Sequence, residues 1–548
     1  MKARSVGVAL VLTLMLALAW GESAGAGTVE VRVVPDLDLA DVAPTAAAGL
    51  AVPGWGDTVS RESALATVES GRLRNPHVET DCAPALQVGV PISSPAVDGE
   101  VVVLVELPPE GTTVNDRRYP IAIEGRGWHG LLRSPSTRIP GLVSLADVAP
   151  TVLGLAGQEI PACAAGRVLR AETAPAALAT LEALDSRLTE TREARFAAGV
   201  AGAAIVVALS VVGLLGWGLA ARGAVLAIPA ATTASLALAL AGRSAWWVFA
   251  VATGALAVGG AGAARSRAAL GLLVLGSVAF HFVALAWWGP DVSLSLLGPN
   301  PDAGGRFFGL PNELETMLVG STVAAAALLH GRTGMAGIMV VGTIGLITIA
   351  PDRLGASTTG AVVLAVALGV LSLAIEGRRG LVPAAVVAAA AVAVLALARP
   401  EHASGAGAGR LLDRLELSAR LAVDSPTSAI LTFGLGLLPL VTLGILYPRL
   451  RSRLDRPEAS ALLALLVASP VSLLLNDSPD AVLTVFALWS VAVIAYGIAG
   501  TRGDRPEGSY RLAPVWASSH SSRSPSSPSP SWVQPAGTRR TARRRRRR

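Results

Sequence analysis

A series of about eleven apolar segments between Phe196 and Gly500 constrains the fold of this 548-residue chain more than any other feature. Each is roughly 17 to 24 residues long, the length at which an α-helix crosses a lipid bilayer. The chain is 52% hydrophobic and 15% charged, which argues against an ordinary soluble enzyme. We therefore expect an α-helical polytopic membrane protein of about 11 spans, at residues 196–220, 223–241, 244–263, 268–288, 314–330, 334–350, 359–375, 380–398, 428–447, 459–475 and 480–499.

The first 26 residues have the pattern of a secretory signal peptide. Lys2 and Arg4 precede an apolar run from Val6 to Trp20, which is short for a membrane span, and Ala24-Gly25-Ala26 is a small-x-small cleavage pattern. We expect cleavage after Ala26. The alternative is an uncleaved first anchor, and both interpretations export the residues that follow.

Residues 27–195 have the composition of a folded α/β domain. The β-branched runs Val29–Val34, Val101–Leu107 and Tyr119–Glu124 predict strands. Leu145–Leu155 predicts a helix, and Pro175–Arg195 predicts a long polar helix that leads into the membrane. Because strands alternate with helices, we expect an extracytoplasmic α/β domain with a mainly parallel sheet.

The chain has two cysteines, Cys82 and Cys163, and both lie in this exported domain. An even number of cysteines in an oxidising compartment favours a disulfide between them. Two buried free thiols, or a cysteine that pairs with another chain, are the alternatives.

Arginines are distributed asymmetrically among the loops of the membrane region. If the α/β domain is outside, all six inside loops are basic and the outside loops carry most of the acidic residues, as the positive-inside rule expects. The chain is then a multi-pass plasma-membrane protein with residues 501–548 in the cytoplasm. This Ser/Pro-rich tail contains twelve arginines and is predicted to be disordered.

The basic tail also accounts for the pI of 10.1. Because the positive charge is confined to the tail, it does not indicate a nucleic-acid-binding fold, and we expect no nucleic-acid partner. Membrane lipids are the expected partners, since arginines near an anionic surface are attracted to it. A solvated tail without a dedicated partner is the alternative, and the sequence leaves the oligomeric state open.

Three polar motifs interrupt the apolar segments, at residues 304–315, 351–360 and 476–480. The predicted topology places all three on the outside, where ionisable groups near helix ends are costly unless they pair or line a wet cavity. We therefore expect one outward-facing cavity with seven ligand-binding candidates, Arg306, Asn312, Glu313, Asp352, Arg353, Asn476 and Asp477.

The chemistry of these candidates allows two kinds of ligand. Arg306 and Arg353 suit a phosphate or carboxylate, whereas Glu313, Asp352 and Asp477 suit a cation or a general-base role. The alternative is structural, with Asn312, Thr358 and Asp477 capping helices while the arginines neutralise the acids.

The stretches 120–125 and 138–157 of the α/β domain resemble the closing part of alkaline-phosphatase-superfamily domains. The similarity is most specific at Asp147-Val148-Ala149-Pro150-Thr151, the D-x-A-P-T pattern that follows a strand near the active site in that fold. The resemblance implies metal-dependent phosphoryl or sulfuryl transfer, with Asp36 nearest to a metal-binding aspartate. The domain has only His77 and His129 and no Asp-His-Gly run. We therefore expect a non-catalytic relative with no resident metal or cofactor.

The membrane region is similar to uncharacterised polytopic proteins of Gram-positive bacteria that carry G-R-F-x-G-x-x-N-E and N-D-S motifs, here at residues 305–313 and 476–478. Ser357 stands where that pattern usually has an acidic residue. These observations favour a membrane protein that handles an envelope component, such as a lipid or glycan. An ion-coupled transporter and a metal-dependent hydrolase are the alternatives.

Overall fold

The computed structural model describes residues 26–74, 82–397, 419–423, 425–476 and 478–503. Residues 1–25 of the predicted signal peptide, His77, Asp477 and the tail from residue 504 lie outside the described residues. Within these ranges the chain is a multi-pass membrane protein with an N-terminal α/β domain.

The α/β domain is built on one eight-stranded sheet with the order β3-β1-β4-β5-β2-β6-β8, and β7 also pairs with β2. The strands are β1 (Ala26–Val33), β2 (Ala47–Val52), β3 (Ile92–Asp98), β4 (Glu100–Val105), β5 (Tyr119–Glu124), β6 (Gly130–Arg133), β7 (Leu142–Ser144) and β8 (Arg170–Glu172).

The sheet is mixed, so the prediction of a mainly parallel sheet was wrong. β1 is parallel to β4, and β2 is parallel to β6 and β7, but β5 runs antiparallel to both β4 and β2. β3 and β8 add antiparallel edges. A buried strand shows the same apolar run in either direction, so the sequence pattern identified strands without their orientation.

Helices cover both faces of the sheet. The short α1 (Leu39–Val42) precedes β2 in the chain. On one face of the sheet, α2 (Arg61–Ser70) and α3 (Val148–Leu155) pack with Val31 and Val103 in one apolar cluster. On the other face, α4 (Ala177–Leu214) contributes Leu181 and Leu184 to a second cluster. The predicted polar helix before the membrane is therefore the first half of α4.

Asp147 anchors the segment that precedes α3. Its carboxylate is fully buried and accepts hydrogen bonds from the Ser134 and Ser136 hydroxyls and from the backbone N–H groups of Ser144 and Arg167, at 2.6 to 2.9 Å. Burial raises the pKa of the Asp147 carboxyl despite these donors. These four hydrogen bonds connect three segments of the domain, at Ser134–Ser136, Ser144 and Arg167.

The predicted disulfide between Cys82 and Cys163 is confirmed. Their Cα atoms are 5.6 Å apart, and the bond closes a loop across 81 positions. It fixes the segment that follows α2 to the segment that follows α3.

Within the described residues, nine helices are long and apolar enough to cross a membrane. The first is α4, which continues from the α/β domain without a break. The others are formed by α5 (Gly218–Leu240), α6 (Trp246–Ala263), α7 (Arg267–Trp287), α9 (Asn312–Ile349), α10 (Thr358–Glu376) together with α11 (Leu381–Leu397), α12 (Pro426–Arg451), α13 (Arg456–Leu475) and α14 (Pro479–Gly503); the short α8 (Gly289–Ser293) follows α7.

Two of these nine helices turn back on themselves, which accounts for the difference from the predicted number of about eleven spans. α9 has a non-helical residue at Gly334, and a Cβ at Gly345 would lie 2.7 Å from the Thr322 hydroxyl. In a straight helix, Thr322 and Gly345 would be separated by about 35 Å. α10 and α11 fold in the same way, since Gly369 and Ala384 are neighbours.

Replacing both Cys82 and Cys163 with alanine is expected to destabilise the α/β domain by about 2 to 5 kcal/mol, because the unfolded chain regains the freedom that the 81-position loop loses. Limited proteolysis of the full-length protein across a temperature series measures this change. An unchanged midpoint for cleavage within residues 26–195 would show that the bond contributes nothing to stability.

Candidate functional site

The α/β domain and the membrane region meet along residues 288–311, which we call the junction segment. Arg118 donates from Nη1 to Asp302 Oδ2 at 2.9 Å, and both side chains are only 3% exposed. Arg192 on α4 lies 3.8 Å from the same carboxylate. Because breaking a buried ion pair leaves an uncompensated charge, these contacts hold the junction segment firmly against the domain.

Helix α4 takes part in the same network. Arg118 Nη2 donates to the Asp185 carboxylate at 2.6 Å and to the Thr189 hydroxyl at 2.7 Å. Arg187, on the same helix, donates from Nη1 to Asp291 Oδ1 at 3.0 Å. The helix that enters the membrane is therefore fixed to the domain and to the junction segment at once.

The junction segment also packs directly on the domain backbone. A Cβ at Gly304, where φ is +65°, would lie 1.9 Å from the Gly54 carbonyl oxygen, so only glycine fits there. Phe307 and Phe308 belong to the same apolar cluster as Leu142 of the domain. The two regions thus share a core as well as ion pairs.

A cleft of about 700 Å³ opens between the two regions, and we call it the basic cleft. The domain lines it from β6, from the turn that follows β6 and from β8. The membrane region lines it from α7, α8, the junction segment and the loop before α10. Its lining residues are Arg133, Ser134, Pro135, Arg138, Arg170, Ala171, Glu172, Leu285, Gly289, Pro290, Ser293, Phe308, Gly309, Arg353 and Leu354.

Four arginines in the basic cleft face a single carboxylate. Arg133 pairs with Glu172 at 2.9 Å, and both are about half exposed. Arg138 is held in place, because it donates to the Asp352 carbonyl at 2.7 Å and stacks 3.6 Å above the Phe308 ring centre. Arg170 and Arg353 are exposed, and in the described part of the chain neither has an ion-pair partner.

A second polar group lies inside the membrane region, and we call it the Glu315 cluster: Glu315, Ser357, Asn312, Asn476 and Ser478. Glu315 has no exposed surface, and the Ser357 hydroxyl donates to its Oε2. Asn476 Nδ2 lies 3.4 Å from Glu315 Oε1, and Asn312 Nδ2 donates to the Ser478 hydroxyl at 3.1 Å. The cluster joins the starts of α9 and α10 to the loop between α13 and α14.

Local sequence explains how a carboxylate fits between these helix ends. Ser357 is the N-cap of α10 and accepts from Gly360 N–H at 3.1 Å. A Cβ at Gly360 would lie 2.4 Å from the carboxyl carbon of Glu315, so a glycine is required there. The N-cap of α9 is Pro311, so Asn312 does not cap that helix. Its amide connects two helices instead.

The structure distributes the seven predicted site residues over several places. Asn312 and Asn476 belong to the Glu315 cluster, and Arg353 lines the basic cleft. Arg306 donates to the Leu310 carbonyl within its own loop, and Glu313 is partly exposed. Asp352 contributes its backbone carbonyl to Arg138. Asp477 lies outside the described residues.

Glu315 and the three arginines of the domain were not among the predicted site residues. Glu315 lies one helical turn after Asn312, so it shares that face of α9, and this spacing could have identified it. Arg133, Arg138 and Arg170 give no local signal, because an arginine at the surface of a folded domain is ordinary. The pairing of β6 with β8 places Arg133 opposite Arg170, and docking of the domain on the membrane region adds Arg353.

Comparison of the chain with protein-family models, curated proteins and solved structures gives no match. The two resemblances therefore rest on their motifs alone and stay predictions. The described residues contain no group of three or more His, Cys, Asp or Glu side chains that could hold a metal ion.

The Arg118→Gln substitution is expected to destabilise the docked arrangement by about 3 to 5 kcal/mol, because it leaves Asp302 buried without its main partner. Arg126→Gln is the matched control, since Arg126 and Asp98 form an ion pair that is about 80% exposed and should cost less than about 1 kcal/mol. Thermal unfolding of both variants in detergent measures the difference. Equal midpoints would contradict a structural role for the buried pair.

Proposed function

We propose that this multi-pass membrane protein recognises an anionic, phosphate-bearing component of the cell envelope in the basic cleft. The α/β domain and the cleft lie outside the plasma membrane, and the arginine-rich tail lies inside. The observation that carries the proposal is the cleft itself, in which four arginines oppose one glutamate within about 700 Å³.

Guanidinium groups suit this role because each presents several N–H donors in a plane that matches two phosphate oxygens. Arg138 is preorganised by the Asp352 carbonyl and the Phe308 ring. Arg170 and Arg353 approach from opposite walls, one from β8 and one from the loop before α10. An anion between them would connect the domain to the membrane region.

The orientation is supported by the distribution of charge along the chain. The loops assigned to the cytoplasm are all basic, and the tail adds twelve arginines on the same side. The disulfide between Cys82 and Cys163 agrees with an oxidising location for the domain.

Binding of radiolabelled inorganic pyrophosphate to the purified full-length protein tests the proposal. The double variant Arg170→Gln/Arg353→Gln should bind at least about tenfold more weakly, because each hydrogen bond to a charged group contributes about 1.5 to 3 kcal/mol. Arg126→Gln, which does not line the cleft, should bind as the wild type does. Absence of binding by the wild type, or equal binding by the double variant, would refute the proposal.

The Glu315 cluster favours a second candidate function, that of an ion-coupled transporter. A fully buried carboxylate surrounded by serine and asparagine side chains at three helix ends is an arrangement that suits a cation or a proton. Here the coupling group is Glu315 rather than the predicted Glu313, Asp352 and Asp477.

Uptake of ²²Na⁺, or a pH change, in proteoliposomes tests this second function. The Glu315→Gln substitution keeps the side-chain shape and removes the charge, so it should reduce ion movement by on the order of tenfold. Glu313→Gln is the control, because Glu313 is two positions away but partly exposed. If the wild-type protein moves no ions in proteoliposomes, or if Glu315→Gln and Glu313→Gln move ions at equal rates, the coupling role of Glu315 is excluded.

A further inference from the structure

The two walls of the basic cleft differ in chemistry. The domain wall carries Arg133, Arg138 and Arg170, whereas the membrane region supplies Arg353 together with the apolar side chains of Leu285, Pro290 and Phe308. A water-soluble anion would use only the arginines and not the apolar side chains. A ligand with a charged end and an apolar end would use both.

The apolar wall lies close to the end of a membrane helix. Leu285 is in the last turn of α7, and its neighbours Val283 and Trp287 are 37% and 69% exposed on the outside of the helix bundle. Trp288, at the C-cap, is 43% exposed. Exposed tryptophans at the end of a span mark the boundary between lipid and water. The floor of the cleft therefore lies at that boundary.

The size of the cleft limits what it can enclose. About 700 Å³ accommodates a phosphate-bearing headgroup and the first part of an apolar chain, but not a long chain. The remainder of such a chain would have to leave along α7, where the exposed side chains are apolar and face lipid.

From these observations we infer that the ligand of the basic cleft is a membrane-borne amphiphile. Its phosphate lies among the arginines, and its apolar chain leaves past Leu285 and Gly289 into the bilayer. This inference rests on the proposed function, because it requires the cleft to bind phosphate at all. It adds the substrate class, a lipid-linked phosphate.

Two prenyl monophosphates with the same headgroup and different chains test the inference. Isopentenyl phosphate is long enough to occupy only the arginines, whereas farnesyl phosphate also reaches the apolar side chains of the membrane region. The full-length wild-type protein in detergent should bind farnesyl phosphate at least about tenfold more tightly, because more apolar surface is buried. This comparison requires no variant and so does not depend on a variant folding correctly.

Gly289 offers a steric test of the exit route. It lines the cleft, and a Cβ there would meet nothing within 4 Å, so a larger side chain can be introduced without backbone strain. Gly289→Phe should weaken farnesyl phosphate binding more than isopentenyl phosphate binding, and so remove most of the preference for the longer chain. Gly444→Phe is the control, because Gly444 is exposed on α12, equally open and outside the cleft.

The outcomes distinguish the inference from the proposed function. Equal binding of the two prenyl phosphates would overturn the inference and leave phosphate recognition standing. A farnesyl preference that survives Gly289→Phe, or that Gly444→Phe also removes, would overturn the exit route along α7. Failure of pyrophosphate to bind the wild-type protein would overturn the proposed function, and the inference that rests on it.

Discussion

The buried ion pair between Arg118 and Asp302 is the interaction on which the rest of the arrangement depends. It fixes the junction segment to the α/β domain, and the same segment supplies Phe308 and Gly309 to the basic cleft. Neither region contains the cleft by itself, since three arginines come from one and the fourth from the other. The cost of separating buried charges therefore maintains the geometry of the site.

The basic cleft and the Glu315 cluster are connected by a short piece of chain. Arg353 lines the cleft, and Ser357, four positions later, donates to Glu315. Between them Ala356 has a φ of +51°, an uncommon conformation for a residue with a side chain. Gly309 approaches the same loop so closely that a Cβ would lie 2.4 Å from the Gly355 carbonyl. Movement of this loop would alter both sites together.

Much of the architecture could be predicted because it follows from local rules. The length of the apolar segments identified the membrane helices. The presence of two cysteines in a domain predicted to be exported identified the Cys82–Cys163 bond. The turns at Gly334 and Gly377–Gly380 lie at the predicted breaks between spans 314–330 and 334–350 and between spans 359–375 and 380–398. Strand direction depends on contacts between distant segments, so the sequence pattern did not determine it. The polar motifs that interrupt the apolar segments pointed to Asn312 and Asn476, whereas the arginines of the domain gave no signal.

Electron cryomicroscopy of the full-length protein in nanodiscs that contain farnesyl phosphate tests the central claim most directly. We predict a docked α/β domain, with phosphate density between Arg170 and Arg353 and chain density that passes Leu285 toward the lipid. A domain separated from the junction segment, or a docked domain with the ligand bound elsewhere, would contradict the assignment of the basic cleft as the functional site.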